Sequence, residues 1–266
     1  MSTKPRRVTT HSLCQMKHSG QKISMLTAYD FTMASLLDQA GADILLVGDS
    51  LAMVVQGHET TIPATISQMV YHGEMVARAA QRAMVVVDLP FPHGQLGVRA
   101  TLKTAAKVMK RTGCHAIKLE GGVEQAETIR SLVAAGIPVI AHVGLRPQSI
   151  HALGGYRVQR DGGRLLGDAR AAEAAGAFCV LMECVPRELA KQVTETLGVP
   201  TIGIGAGPDC DGQVLVTHDI LGLTLGRVPK FVRTQVNLAD QIKQAIDQHQ
   251  AAVRDGTFPN DSESFN

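Results

Sequence analysis

Several features that would place a chain in a special class are missing from this sequence. No stretch approaches the roughly 20 consecutive apolar residues that span a bilayer, which excludes a membrane protein. Lys and Arg number 26 against 24 Asp and Glu, and the only basic run is the short "KPRR" near the start, so no nucleic-acid partner is expected. The start of the chain is polar and basic with no apolar segment behind it, which excludes a secretory signal. The five cysteines are scattered and "CVLMEC" lacks zinc-motif spacing, which favours reduced thiols in a cytoplasmic protein.

What the sequence does contain is a regular alternation of short apolar runs and longer amphipathic segments. Runs this apolar are typical of parallel strands that are buried on both faces. They occupy residues 24–30, 43–49, 83–90, 115–121, 138–145, 177–184, 200–207 and, more weakly, 213–219. Strand-then-helix units of this number and size predict an α/β fold, a closed (β/α)8 TIM barrel.

The main structural alternative is an open doubly wound sheet. The glycines of "GIGAG" are too weak a signal for it, because no full GxGxxG opens a helix there. No linker or composition break divides the chain. We therefore predict one domain over residues 1–266, with an N-terminal extension at 1–22 and a C-terminal tail at 255–266.

Charged and polar residues end several of the predicted strands. These residues are Asp49, Asp88, Glu120, His142 and Glu183. The carboxyl ends of the strands carry the chemistry in barrels of this type. The same residues are therefore candidates for a functional site.

Lys118 and Glu120 lie two residues apart in "IKLEG", so they share one face of the strand. With Ile117 and Leu119 facing the helices, both charges point into the barrel mouth. A structural ion pair explains this pair alone, but it does not explain several crowded carboxylates, which repel one another and raise one another's pKa. A bound cation would relieve that repulsion.

Asp49, Asp88 and Glu120 offer only oxygen ligands, which suit a hard ion such as Mg²⁺. Magnesium commonly keeps open positions, and a carboxylate and a neighbouring ketone from a bound acid could fill them. The alternative for any single acid at a strand end is a helix N-cap or a loop hydrogen bond.

Glu183 and His142 have other predicted roles. The apolar setting of Glu183, between "AFCVLM" and Cys184, could raise its pKa towards that of a general base. An N-cap-like role for the following helix is the alternative. His142 could bind a substrate carboxylate, or it could be a core histidine with its hydrogen bonds satisfied.

Long motifs across nearly the whole chain resemble the ketopantoate hydroxymethyltransferase family. They are "TAYD", "LLVGDSLAMVVQGHETT", "VVDLPF", "IKLEGG", "AHVGLRPQS", "GGYRVQ", "LMECVP", "PTIGIGAG", "DGQVLVTHD" and "PKF". The resemblance implies a barrel of the phosphoenolpyruvate-mutase type, cytoplasmic and assembled as a homo-oligomer, a homodecamer. The implied reaction moves a one-carbon unit from methylene-tetrahydrofolate to 3-methyl-2-oxobutanoate. It gives 2-dehydropantoate in the first step of pantothenate and coenzyme A biosynthesis.

The resemblance also implies roles for particular residues. The metal acids of the family fall on Asp49, Asp88 and Glu120, with one Mg²⁺ per subunit. Its proposed base falls on Glu183. The implied substrate contacts are Asp49, Ser50, Asp88 and Lys118, and His142 is a further candidate contact for the keto acid.

Two loops depart from the family pattern, and two other functions compete. Residues 92–99 lack the small serine-containing turn that the family more often has, and residues 157–167 are several residues shorter than usual. Loops at this face often act as lids.

A Mg²⁺-dependent lyase or mutase of the same barrel type is one alternative function, although a "KKCGH"-like turn is missing. A catalytically inactive scaffold is the other, although no metal acid, Lys118 or Glu183 has been lost.

Overall fold

The computed structural model describes residues 6–265 and contains eight parallel strands closed into one barrel. The strands are β1 (Ile23–Thr27), β2 (Ile44–Val47), β3 (Met84–Asp88), β4 (Ala116–Glu120), β5 (Val139–Gly144), β6 (Cys179–Glu183), β7 (Thr201–Ile204) and β8 (Gly212–Leu215). Each strand pairs with its neighbours in the chain, and β8 pairs with β1. The predicted TIM barrel is confirmed, and the open sheet is wrong because this pairing leaves no edge strand.

The strands are apolar on both faces because the barrel buries both. In β2, Ile44 and Leu46 belong to the cluster inside the barrel. Leu45 and Val47 belong instead to the cluster between the strands and the surrounding helices. The two faces therefore alternate along the strand, as the inward and outward positions of a closed barrel require.

Helices cover the outside of the barrel. Those before residue 217 are α1 (Thr10–Ser19), α2 (Phe31–Gln39), α3 (Leu51–Val54), α4 (Ile66–Ala79), α5 (Val98–Thr112), α6 (Ala126–Ala134), α7 (Ile150–Leu153), α8 (Gly162–Ala174) and α9 (Arg187–Thr196). A capping box between Thr65 and Gln68 starts α4. Gly73 lets α4 approach α5 closely, since a Cβ there would lie 2.8 Å from Cγ2 of Thr112.

Two segments differ from the sequence-based interpretation. The sequence predicts a loop over residues 157–167, but α8 already begins at Gly162, because Asp161 caps it by accepting a hydrogen bond from the Arg164 N–H at 2.9 Å. Within the predicted extension 1–22, α1 buries Leu13 and Met16 in the cluster inside the barrel. Residues 1–5 of that extension and residue 266 of the predicted tail lie outside the described residues.

The alternation along β4 has the predicted direction. Ile117 and Leu119 belong to the cluster on the helix side of the sheet. Lys118 and Glu120 are on the opposite face and are both buried. The prediction that both charges face the barrel interior is confirmed.

The strand register brings the charged residues together at one end of the barrel. Asp88 on β3 is paired with Lys118 on β4, and Glu120 on β4 is paired with His142 on β5. Glu183, the last residue of β6, is paired with Gly144 on β5. The carboxyl ends of four consecutive strands therefore carry the candidate residues.

The described residues form two compact units, one ending at Val216 and the other beginning at Thr217. The first unit contains the barrel. The second contains α10 (Thr217–Ile220) and α11 (Leu238–Arg254), where Asn237 caps α11. The assignment of the whole chain to one domain stays a prediction. Between residues 6 and 265, no helix has the length and apolar character needed to cross a bilayer.

Candidate active site

The turn after β2 supplies Asp49 and Ser50. Asp49 is buried, and its Oδ2 accepts a hydrogen bond from Nε2 of Gln148 at 2.9 Å. The Ser50 hydroxyl lies 2.8 Å from the Tyr29 hydroxyl, so the turn is tied to the residue that follows β1 by two positions. Asp49 is therefore held by the segment that follows β5, and Ser50 by the segment that follows β1.

Asp88 and Lys118 form a fully buried ion pair. Nζ of Lys118 lies 2.6 Å from Oδ2 of Asp88. Burial raises the pKa of Asp88 to about 7, against the influence of Lys118. Burial disfavours the Lys118 ammonium as well, but Asp88, Asp49 and Glu120 outweigh it and hold the pKa of Lys118 above its ordinary value. Lys118 is therefore charged.

Glu120 is a buried carboxylate among other carboxylates. The main-chain N–H of Gln148 donates to its Oε2 at 3.2 Å. Burial raises the pKa of Glu120 well above its ordinary value; Lys118 opposes the shift, and Asp49, Asp88 and Glu183 reinforce it. Burying these carboxyl groups together is costly when all of them are ionised.

His142 lies between Lys118 and Glu183. Its Nδ1 is 3.3 Å from Nζ of Lys118, and its Nε2 is 3.2 Å from Oε2 of Glu183. Burial, and then the Lys118 ammonium, hold the pKa of His142 well below its ordinary value, so the ring is neutral. Because an ammonium can only donate, we assign the hydrogen to Nε2, which faces Glu183.

Glu183 is the acid with partial access to solvent. Its side chain is 16% exposed, and burial raises its pKa to about 7, with Lys118 opposing the shift. The next residue, Cys184, has a φ of 48°, so the chain turns sharply at the end of β6. Glu183 does not cap the following helix, whose N-cap residue is Pro186. An acid with a pKa near neutrality is suited to accept a proton.

The loop after β5 crosses the mouth above these acids. The hydroxyl of Tyr156 donates to Sδ of Met53 at 3.7 Å, and the N–H of Gln159 donates to the Cys184 carbonyl at 2.8 Å. Met53 follows β2 and Cys184 follows β6, on opposite sides of an eight-stranded barrel. Burial, then Glu183, raises the pKa of Tyr156.

The chemistry of the donor set fits a hard divalent cation. The four carboxylates of Asp49, Asp88, Glu120 and Glu183 face one ammonium, that of Lys118. Carboxylate oxygens are the ligands that Mg²⁺ prefers. As the side chains stand, no group of three or more His, Cys, Asp or Glu within residues 6–265 is arranged to hold a metal ion. The metal set therefore stays a prediction.

Sequence reasoning does not single out Gln148, Tyr29 or Tyr156 as residues of the site. All three fall in segments that carry the family resemblance, "AHVGLRPQS", "TAYD" and "GGYRVQ". Neither charge nor periodicity marks them, so only the resemblance could have indicated them.

We expect the metal-free protein to lose stability as the pH rises from acid towards neutrality. The folded pKa values of Asp88 and Glu183, about 7, lie above the ordinary values of 3.8 and 4.5. Stability from the protonated forms is therefore fully present below the ordinary values and is lost as the pH rises through about 7. Thermal unfolding in EDTA between about pH 5 and about pH 7 measures this loss. Glu183→Gln, which removes one of these titrations, should flatten the dependence, and a melting temperature that rises over this window would contradict the assignment.

Proteins of similar sequence share one description. A family model described as ketopantoate hydroxymethyltransferase matches residues 7–261. A 3-methyl-2-oxobutanoate hydroxymethyltransferase of Rhodopirellula baltica is 60% identical over 259 residues, covering 97% of this chain and 96% of that protein. The protein of the same description from Neisseria gonorrhoeae is 53% identical over 255 residues, covering 95% and 97%.

Similar solved structures share the barrel. Phosphonopyruvate hydrolase, solved with oxalate and Mg²⁺, matches with a TM-score of 0.64 and 14% identity, covering 97% of this chain and 91% of that chain. A 2,3-dimethylmalate lyase of the PEP mutase/isocitrate lyase superfamily matches with a TM-score of 0.62 and 20% identity, covering 98% and 90%. At these identities the likeness shows the fold alone, an α/β barrel.

Proposed function

The chain belongs to the ketopantoate hydroxymethyltransferase family and is a 3-methyl-2-oxobutanoate hydroxymethyltransferase, and we propose that its one-carbon donor is methylene-tetrahydrofolate. One water, the donor and the keto acid would give 2-dehydropantoate and tetrahydrofolate, and the oxygen of the water would become the new hydroxyl. In the cell this is the first step of pantothenate and coenzyme A biosynthesis. The observation that carries the proposed mechanism is Glu183, a carboxylate with a pKa near 7 in the mouth of an acidic barrel.

Glu183 acts as the general base. The carbon beside the ketone of 3-methyl-2-oxobutanoate carries one hydrogen, which Glu183 takes as a proton. The electron pair of that C–H bond forms the C=C bond of an enolate, and the negative charge moves to the former ketone oxygen. The enolate carbon then forms the new C–C bond with the methylene carbon of the donor as the first of that carbon's two C–N bonds breaks, and the freed folate nitrogen takes up the proton that Glu183 removed. Water replaces the second folate nitrogen at the same carbon, so its oxygen becomes the hydroxyl, and that nitrogen leaves with the bonding electron pair and a proton from the water as part of tetrahydrofolate.

Lys118 balances the negative charge that develops in this step. Its ammonium is buried, so no bulk water screens it, and a fixed charge in such a setting stabilises an anion more strongly than it would in water. His142 is neutral, with Nδ1 towards Lys118 and Nε2 towards Glu183. It therefore orients the base without adding a charge that would lower the basicity of Glu183.

Asp49, Asp88 and Glu120 would hold one Mg²⁺ per subunit. When bound, the ion acidifies the C–H by drawing electron density from the ketone. The excess of buried carboxylates over ammonium supports this assignment. Ser50, beside Tyr29, is the proposed contact for the substrate carboxylate.

Turnover measured with and without metal tests this proposal. In EDTA, formation of 2-dehydropantoate from keto acid and methylene-tetrahydrofolate should fall to background, and Mg²⁺ should restore it. Omission of the folate should abolish product formation in either case. Full turnover after removal of metal would overturn the Mg²⁺ assignment, and product formation without folate would overturn the donor.

We also propose that the enzyme is a cytoplasmic homo-oligomer, a homodecamer, without nucleic-acid or membrane partners. The family resemblance supports the assembly, and the near-balanced charge supports the absence of nucleic acid. Sedimentation velocity on the metal-loaded protein measures the assembly directly.

A further inference from the structure

Gln148 connects the ends of three strands that carry acids. It lies in the 3-10 helix Pro147–Ser149 after β5 and is 4% exposed. Its side-chain Nε2 donates to Oδ2 of Asp49 and to the carbonyl of Leu89, both at 2.9 Å. Its main-chain N–H donates to Oε2 of Glu120 at 3.2 Å. Gln148 thus donates hydrogen bonds to two of the three proposed metal ligands, Asp49 and Glu120. It also donates to the carbonyl of Leu89, the residue that follows the third ligand, Asp88.

The orientation of this amide is determined by its partners. Both partners of Nε2 are acceptors, a carboxylate and a carbonyl. The other end of the amide, Oε1, accepts from Nε2 of Gln95 at 3.2 Å. A flipped amide would place its oxygen against two acceptors and its NH₂ group against the NH₂ group of Gln95.

Gln95 belongs to the loop between β3 and α5, in the segment 92–99 that departs from the family pattern. That loop is fixed at two points beside Gln95. The hydroxyl of Thr101 donates to the carbonyl of His93 at 2.9 Å. Gly94 lies against β4, since a Cβ there would come within 2.5 Å of Cδ1 of Leu119. The partner of the Gln148 amide is therefore held in place.

A neutral amide suits this position. Asp49 and Glu120 repel each other, and without a common donor they would separate. A lysine here would bind them but would compete with a cation for their charge, and a glutamate would add to the repulsion. An amide N–H and a main-chain N–H bring the two acids together and leave their charge for the metal.

We propose that Gln148 is a positioning residue that sets the spacing of Asp49 and Glu120 for the divalent cation, and that Gln95 fixes the orientation of its amide. The inference rests on the proposed function, because it assumes that these acids bind the metal. It assigns a role to the chain's own divergent loop: Gln95 acts on the metal site through Gln148.

Binding of Mn²⁺ in place of Mg²⁺, followed by electron paramagnetic resonance, tests the inference without any turnover. Gln148→Met keeps the length of the side chain and removes the amide. It should raise the Kd for Mn²⁺ by about 10-fold to 100-fold, as loss of an outer-sphere partner does. Gln95→Leu should raise the Kd by a smaller factor of about three to ten. Gln192→Leu, an exposed glutamine on α9, is the matched control and should leave the Kd unchanged.

Two further readouts separate positioning from folding. In Gln95→Leu, saturating metal should restore kcat to the unaltered value, and the midpoint of guanidinium unfolding in EDTA should equal that of the unaltered protein, whereas a folding defect would lower that midpoint. Because Gln95 is exposed, Gln95→Leu should fold, and it therefore still tests the inference if Gln148→Met does not fold. Kd values for both Gln95→Leu and a folded Gln148→Met within about twofold of the unaltered enzyme would overturn the inference alone. Failure of the unaltered enzyme to bind Mn²⁺ would overturn the proposed metal and this inference with it.

Discussion

Replacing Glu183 with Gln is expected to lower kcat by about 10²-fold to 10⁴-fold, the usual contribution of a positioned general base. Gln has nearly the same shape as Glu, but its amide does not accept a proton at neutral pH. The burial that raises the pKa of Glu183 to about 7 is what makes the native carboxylate basic enough for this step. KM for the keto acid should change little, because the base acts on the reacting C–H rather than on binding.

Steady-state kinetics over a range of keto-acid concentrations separate these two constants. Glu188→Gln makes the same chemical change at an exposed position in the first turn of α9 and should leave both constants as they are. If Glu183→Gln kept kcat within tenfold of the unaltered enzyme (about 1.4 kcal/mol), Glu183 could not be the base.

Replacing Lys118 with Met should lower kcat/KM by about 10²-fold to 10³-fold, the size of effect seen when one donor to a developing oxyanion is lost. The ammonium contacts Asp88, and the charges of Asp49 and Glu120 also stabilise it. Met fills a similar volume without the charge, so Asp88 is left buried and unpaired. The pKa of Asp88 should then rise further, because Lys118 opposes its upward shift in the native protein.

The same variant should be less stable, because removal of one partner from a buried ion pair costs about 3 to 5 kcal/mol. Guanidinium unfolding in EDTA measures this loss, and kcat/KM at saturating Mg²⁺ measures the catalytic one. Lys107→Met, at an exposed position on α5, should change neither quantity. If the rate of Lys118→Met recovered fully with excess Mg²⁺, the metal alone would stabilise the negative charge of the enolate, and the role proposed for Lys118 would be wrong.

The features that can be predicted from the sequence depend on local periodicity. Apolar runs short enough for strands, each followed by an amphipathic segment, indicate a parallel barrel whatever the loops do. Two-residue alternation in "IKLEG" places Lys118 and Glu120 inside, and the register of β3 and β4 brings Asp88 beside Lys118. The grouping of the acids at the strand ends therefore follows from periodicity together with the rule that parallel strands end at one face of a barrel.

The features that cannot be predicted in this way depend on distant contacts. Gln148 is 99 residues from Asp49, and the hydrogen bond between them follows from the path of a loop, which has no periodicity. Periodicity places the start of α8 too late because its cap, Asp161, lies within the segment interpreted as a loop. The packing of Leu13 and Met16 of α1 against the inward-facing strand residues likewise depends on closure of all eight strands.

The central claim is that this site removes a proton from a keto acid before any carbon is transferred. Exchange of the methine proton of 3-methyl-2-oxobutanoate in deuterated buffer, followed by NMR, measures that step directly. The account predicts exchange with Mg²⁺ that is lost in EDTA and in Glu183→Gln. Absence of exchange with Mg²⁺, whether or not tetrahydrofolate is present, would contradict it, because the acids at the strand ends would then serve a different reaction.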